Sequence, residues 1–144
     1  MTTKTKRLLD YIPYSALIIS AIFLVYSRIN GEILFQIRHI IGLILIPIPF
    51  LLFNYRHKIG VLFLGFMLII GLFGAISYSP AITTTTVGKG LSNGDSFTFL
   101  YFQPIFLLWI CLHFIVSGRY YTGILSKKYW DNIKSDEPYI IDSK

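Results

Sequence analysis

Residues 59–78 read IGVLFLGFMLIIGLFGAISY, twenty positions without a charged side chain. At about 1.5 Å of rise per residue, a helix of that length covers roughly 30 Å, the thickness of a bilayer's hydrocarbon core. The run is apolar on every side rather than along one stripe, so such a helix needs apolar surroundings all round. A chain of 144 residues offers little other protein to supply them, and lipid is the expected solvent.

Three further stretches behave similarly. Tyr11 to Tyr26 is apolar apart from Pro13, Ser15 and Ser20, and it follows a basic start carrying Lys4, Lys6 and Arg7. No small-residue cleavage signal succeeds it, which points to a retained helix rather than a removed leader. Residues 33–53 form a second run, polar only in its first turns at Gln36, Arg38 and His39 and broken by Pro47 and Pro49. The two prolines lack N–H donors and leave the carbonyls of Leu43 and Leu45 without their helical partners, so a kink resatisfied by neighbouring helices is expected. Phe97 to Val116 is the fourth run, with Pro104 either in the first turn of its helix or kinking a longer one.

The expected architecture is an all-α integral membrane protein in one domain. Four transmembrane helices, at about 11–27, 33–53, 59–79 and 98–117, form a bundle. An outer loop at 79–96 contains the β-branched run Ile82 to Val87 and the turn pair Asn93-Gly94, which predicts a small hairpin pairing 82–87 with about 95–100. In the tail, 118–144, Tyr121, Leu125, Tyr129 and Ile133 recur every four residues between basic side chains, the pattern of a short amphipathic helix on a membrane surface.

Composition agrees with lipid as solvent. The chain is 54% hydrophobic and only 14% charged, where a soluble domain carries about 25% charge. Its net charge of +6 is spread through the short connections, which argues for membrane topology and lipid head groups as the partners of the basic residues and against nucleic acid. Of the thirteen Lys and Arg residues, ten fall with the termini and the 54–58 turn and three on the other side. The excess of basic residues on cytoplasmic loops then places both termini inside an inner (cytoplasmic) membrane and the 79–96 loop outside.

Candidate sites are few. Arg38 and His39 lie in the first turns of the second run, with Pro47 and Pro49 deeper; intramembrane ionisable groups near a broken helix mark pathways or ligand sites. Their plainer role is in the outer head-group layer. Thr83, Thr84, Thr85, Thr86, Lys89 and Asp95 make the outer loop the candidate partner-binding segment, an extended edge to which another chain can pair. Gly71 and Ala75, four residues apart, present a small-residue face for close helix packing, within the chain or between copies. Cys111 reads as a small apolar residue. His57 and His113 have no Cys or carboxylate at ligand spacing, and no catalytic, metal or cofactor motif is recognisable.

The layout is similar to that of the small four-span immunity proteins that protect bacteria from pore-forming toxins, a likeness of topology alone. It implies a non-catalytic membrane interaction protein, either of that kind or an accessory subunit, whose partner is another membrane protein or itself. The competing expectation is a small oligomeric channel or transporter for an ion or small polar solute, with Arg38, His39, Pro47 and Pro49 along its path.

Overall fold

The computed structural model describes residues 3–79, 85–90, 96–122 and 124–131. The chain runs through α1 (Thr3–Leu9), α2 (Ile12–Ile29), α3 (Ile37–Leu45), α4 (Pro47–Tyr55) and α5 (His57–Leu72). Two strands follow, β1 (Thr85–Gly90) and β2 (Ser96–Phe102), then α6 (Pro104–Ser117), a 3-10 turn at Gly118–Tyr120 and the short α7 (Lys127–Asp131). The protein is therefore helical, with one two-stranded antiparallel ribbon. Two helical stretches are long and apolar enough to cross a bilayer: Arg7–Ile29, 23 residues, and Ile37–Tyr55, 19 residues. The other two apolar helices, His57–Leu72 and Pro104–Tyr120, are shorter.

The stretch that decides the fold is α5, and it sits at the centre. It packs against α4 on one side and α6 on the other, while α2 lies against α6. Val61, Leu64, Met67 and Leu68 of α5 are buried and share a core with Tyr14 and Leu17 of α2, Phe53 of α4, and Phe106 and Trp109 of α6. Glycines set the closeness of these contacts. A Cβ on Gly71 would lie 2.0 Å from the Phe106 ring, so only a bare backbone admits that ring against α5.

The central helix is shorter than its apolar run. It ends at Leu72, not near residue 79, because Gly74 adopts φ +81°. Gly74 N–H then donates to Gly71 O (2.9 Å) and Ala75 N–H to Ile70 O (3.1 Å), the paired bonds of a Schellman cap. Ile76, Ser77 and Tyr78 continue as non-helical but buried backbone. Their polar groups are met from three directions: Ser77 N–H donates to Arg38 O (3.2 Å), Gln103 Nε2 to Ile76 O (3.0 Å) and the Tyr78 hydroxyl to Gly42 O (3.0 Å). Apolar composition alone cannot separate such a return from one more helical turn.

The prolines break the second helical stretch at Ile46, between α3 and α4. Tyrosines from other segments donate to carbonyls beside the break, Tyr14 to Ile46 O (2.9 Å) and Tyr78 to Gly42 O. They flank, rather than replace, the bonds lost at Leu43 and Leu45.

Three further expectations change. The fourth helix starts at Pro104 rather than 98, because the aromatic and β-branched residues before it form β2, and proline suits a first helical position. The strands pair Thr85 with Phe102 through Gly90 with Ser96, with an irregularity at Val87/Gly88, so the pairing lies three residues later in β1 than 82–87. Finally, the tail is not one amphipathic helix. The 3-10 turn ends α6, and among the described residues Tyr121 to Ser126 runs as turns and only Lys127–Asp131 beyond them is helical. Burial explains it: Tyr120 and Tyr129 are drawn into the end of the bundle, and Leu125 is left outside.

Candidate functional site

The densest polar cluster lies at one end of the bundle and centres on Asp10. α1 closes in a turn, with Asp10 N–H on Arg7 O (3.2 Å) and Tyr11 N–H on Leu8 O (3.2 Å), and that turn aims the carboxyl group inward. Asp10 is 0% exposed. Oδ1 accepts from the Ser117 hydroxyl at 2.8 Å, at the last residue of α6. Oδ2 accepts from His57 Nε2 at 2.9 Å, at the first residue of α5, and from the Arg119 guanidinium at 2.5 Å, in the 3-10 turn. A carboxylate only accepts, so His57 carries its proton on Nε2. Three donors from elsewhere in the chain satisfy one buried charge, the condition under which a carboxylate tolerates desolvation.

Aromatic rings wall the cluster. His57 stands 5.3 Å from the Phe53 ring, 5.8 Å from Tyr11 and 5.8 Å from Tyr120, and Arg119 lies over Tyr120 at 4.8 Å. Next along α5, Lys58 is fully buried with its Nζ 4.0 Å above the Tyr129 ring. Burial pushes the Lys58 ammonium below the usual lysine value and raises the Tyr129 phenol above the usual tyrosine one. The Tyr129 hydroxyl donates to Tyr120 O, which fastens α7 across this end.

Asp, His and Ser come together here, but not in the order of a nucleophile and its base. The Ser117 proton is donated to Asp10, and the imidazole is on the other carboxylate oxygen, whereas a triad needs the hydroxyl on the imidazole. The arrangement is a clasp that ties the first turn of the chain to the start of α5 and the end of α6.

A second polar contact lies farther along α6. The Tyr121 hydroxyl donates to Val61 O (3.2 Å), so its bond to His113 (2.7 Å) is an accepted one and Nε2 bears the imidazole proton. His113 Nδ1 is then a buried acceptor with no hydrogen-bond partner among the described residues. Gly65 makes the room: a Cβ there would sit 2.0 Å from the Tyr121 hydroxyl.

The candidate residues of the second run are separated rather than gathered. His39 is buried at the start of α3, where its Nδ1 accepts from Gln36 N–H (3.1 Å) in a capping box, so its first role is to begin a helix. Its Nε2 has no partner at hydrogen-bond distance among the described residues. Arg38 is partly exposed, and its carbonyl holds Ser77. Pro47 is exposed and Pro49 buried, two or more turns further on. The groove at the α3–α4 break is lined by Ile18, Ala21, Ile22, Val25, Leu43 and Ile46, all apolar, and includes neither Arg38 nor His39.

Gly71 meets α6 through Phe106, whereas Ala75 lies beyond the helix cap and is exposed. Thr85, Thr86 and Lys89 fall in β1; Thr83, Thr84 and Asp95 lie outside the described residues. The clasp was not visible in the sequence. Its one available signal is that Asp10 is an acid at the mouth of an apolar run in an otherwise basic segment.

No protein-family model matches this chain, and no curated protein and no solved structure matches it significantly.

Proposed function

We propose that this is a multi-pass protein of a bacterial inner membrane that acts by binding another protein, as an immunity protein against a membrane-active toxin or as an accessory subunit of a membrane complex. The ribbon carries this reading. β1 pairs only with β2, so among the described residues each strand keeps one open edge of N–H and C=O groups. An open edge is a template for strand addition by another chain. The ribbon joins the non-helical return after α5 to the start of α6, the end opposite the Asp10 clasp, which is the extracytoplasmic side under the charge count.

The outward surface supports the membrane part of the reading. Ile22 and Phe23 of α2, Ile44 of α3, Leu51 of α4, Phe66 of α5 and Leu107 and Ile115 of α6 are all exposed. Soluble monomers seldom display apolar surface on every side.

Site-specific photocrosslinking tests the proposal. A photoreactive side chain at Thr86 or Lys89 in living cells is expected to yield a discrete protein adduct, while one at Leu107 yields none. Adducts of the same pattern from Leu107, or none from either ribbon position in correctly inserted protein, overturn it. Ion flux through vesicles holding only this protein would instead favour a pore.

A further inference from the structure

We propose that the docked tail, with Leu125 and Trp130 at its outer surface, forms a seat for anionic lipid head groups at the clasp end of the bundle. This rests on the multi-pass membrane reading and adds a specific lipid chemistry to it.

The clasp fixes which residues share that end. Leu8 is two residues before Asp10, Tyr55 and Arg56 immediately precede His57, and Trp130 follows Tyr129, whose ring covers Lys58. Several of the apolar side chains so placed face outward: Leu8 is 70% exposed, Tyr55 77%, Leu125 99% and Trp130 51%. The described part of the tail, which presents the last two, is fastened. Tyr121 donates to Val61 O, Tyr129 to Tyr120 O and Trp130 Nε1 to Ile124 O (2.8 Å). A segment held by its tyrosines on the protein side therefore offers a leucine and a tryptophan on the other, the side-chain types that settle at the head-group level.

Charge selects the lipid. Lys127 is exposed, and Arg56 is partly exposed over the Tyr55 ring at 5.5 Å. The acid of this end whose side chain is described, Asp10, is buried and spent on His57, Ser117 and Arg119. Among the described side chains, what faces outward is thus basic and apolar together, complementary to a negatively charged leaflet, where each basic side chain near the surface strengthens attachment about fivefold.

Trp109 and Trp130 are the two tryptophans, so Trp109→Phe leaves Trp130 as the sole reporter. The full chain is placed in lipid discs of phosphatidylcholine, with or without about one-third phosphatidylglycerol, a typical anionic fraction for a charged leaflet. Expected are a blue shift of Trp130 emission with the anionic lipid, quenching by a label at head-group depth, and loss of the shift in Lys127→Glu/Arg56→Glu. A third protein, Leu107→Trp without the native tryptophans, reports embedding through quenching by a deep label. If that deep quenching occurs while Trp130 responds identically in both discs, the lipid seat is overturned and the membrane reading stands. If deep quenching is missing, both fall. A blue shift produced equally by soluble polyglutamate in phosphatidylcholine discs overturns the lipid assignment in favour of an acidic protein.

Discussion

Asp10 shows how much one buried carboxylate organises. Its donors stand 47, 107 and 109 residues away in sequence, so it holds together parts of the chain that local propensity cannot bring near one another. Removing it takes the shared carboxylate acceptor away from His57, Ser117 and Arg119. Breaking a buried ion pair on one side costs about 3–5 kcal/mol. Asp10→Ala is expected to lose about that much stability, measured by denaturant unfolding in detergent, and Asp10→Ala combined with Arg119→Met to lose less than the sum of the single changes. Additive losses would show that the two side chains do not depend on each other.

Lys58 gives a pH dependence of known sign. Its ammonium is held below the ordinary 10.5 by desolvation, so the folded protein binds fewer protons than the unfolded chain in the window just below that value. Stability therefore rises with pH there. The raised Tyr129 phenol acts oppositely, since its contribution falls away above 10.0, where the unfolded phenol ionises and the folded one does not. Unfolding midpoints are expected to climb with pH on the alkaline side, level off near 10, and lose the climb in Lys58→Met. A climb of equal size in that variant would assign it elsewhere.

At the scale of elements, the sequence locates apolar segments well and their ends less well. The second and fourth runs carry prolines, and both appear where helices break or start, at Ile46 and Pro104. The third run hid its end because every residue from Ile59 to Ile76 suits an apolar helix, and of its glycines at 60, 65, 71 and 74 only Gly74 takes the positive φ that stops one. The Asp10 clasp was illegible for a different reason: its members are ordinary polar residues whose meaning lies in contacts 47 to 109 residues apart. The four-residue stripe of the tail misled because a buried tyrosine and an exposed leucine count alike as apolar. Gly74→Ala tests the cap. An L-residue at φ +81° is strained by about 1–2 kcal/mol. The variant is expected to unfold that much more easily, with Gln103, which donates to Ile76 O, losing protection from amide exchange at its own N–H, now on Leu72 O (3.0 Å). Unchanged exchange at Gln103 would mean the cap does not position the return.

For the whole molecule, hydropathy was the most legible feature, since the solvent of each helix is written into its outward side chains. Under the proposed multi-pass reading, packing is close contact rather than removal of water, for a lipid tail is as apolar as leucine. Gly71 under Phe106 and Gly65 under Tyr121 show it: both replace a side chain with proximity. The charge count predicts which end faces which compartment. In a Cys111→Ser background, a cysteine in place of Thr86 is expected to react with a membrane-impermeant maleimide in intact spheroplasts, and one in place of Leu125 only after lysis. Labelling of both before lysis would discard the four-pass count.

Two of the three groups that grip Asp10 lie more than a hundred residues after it, at positions 117 and 119. While the ribosome is still building the earlier helices, Asp10 has only His57 to meet it. Fastening waits for the end of α6 and the turn after it, so a product cut short before residue 117 lacks two of the three donors that hold Asp10.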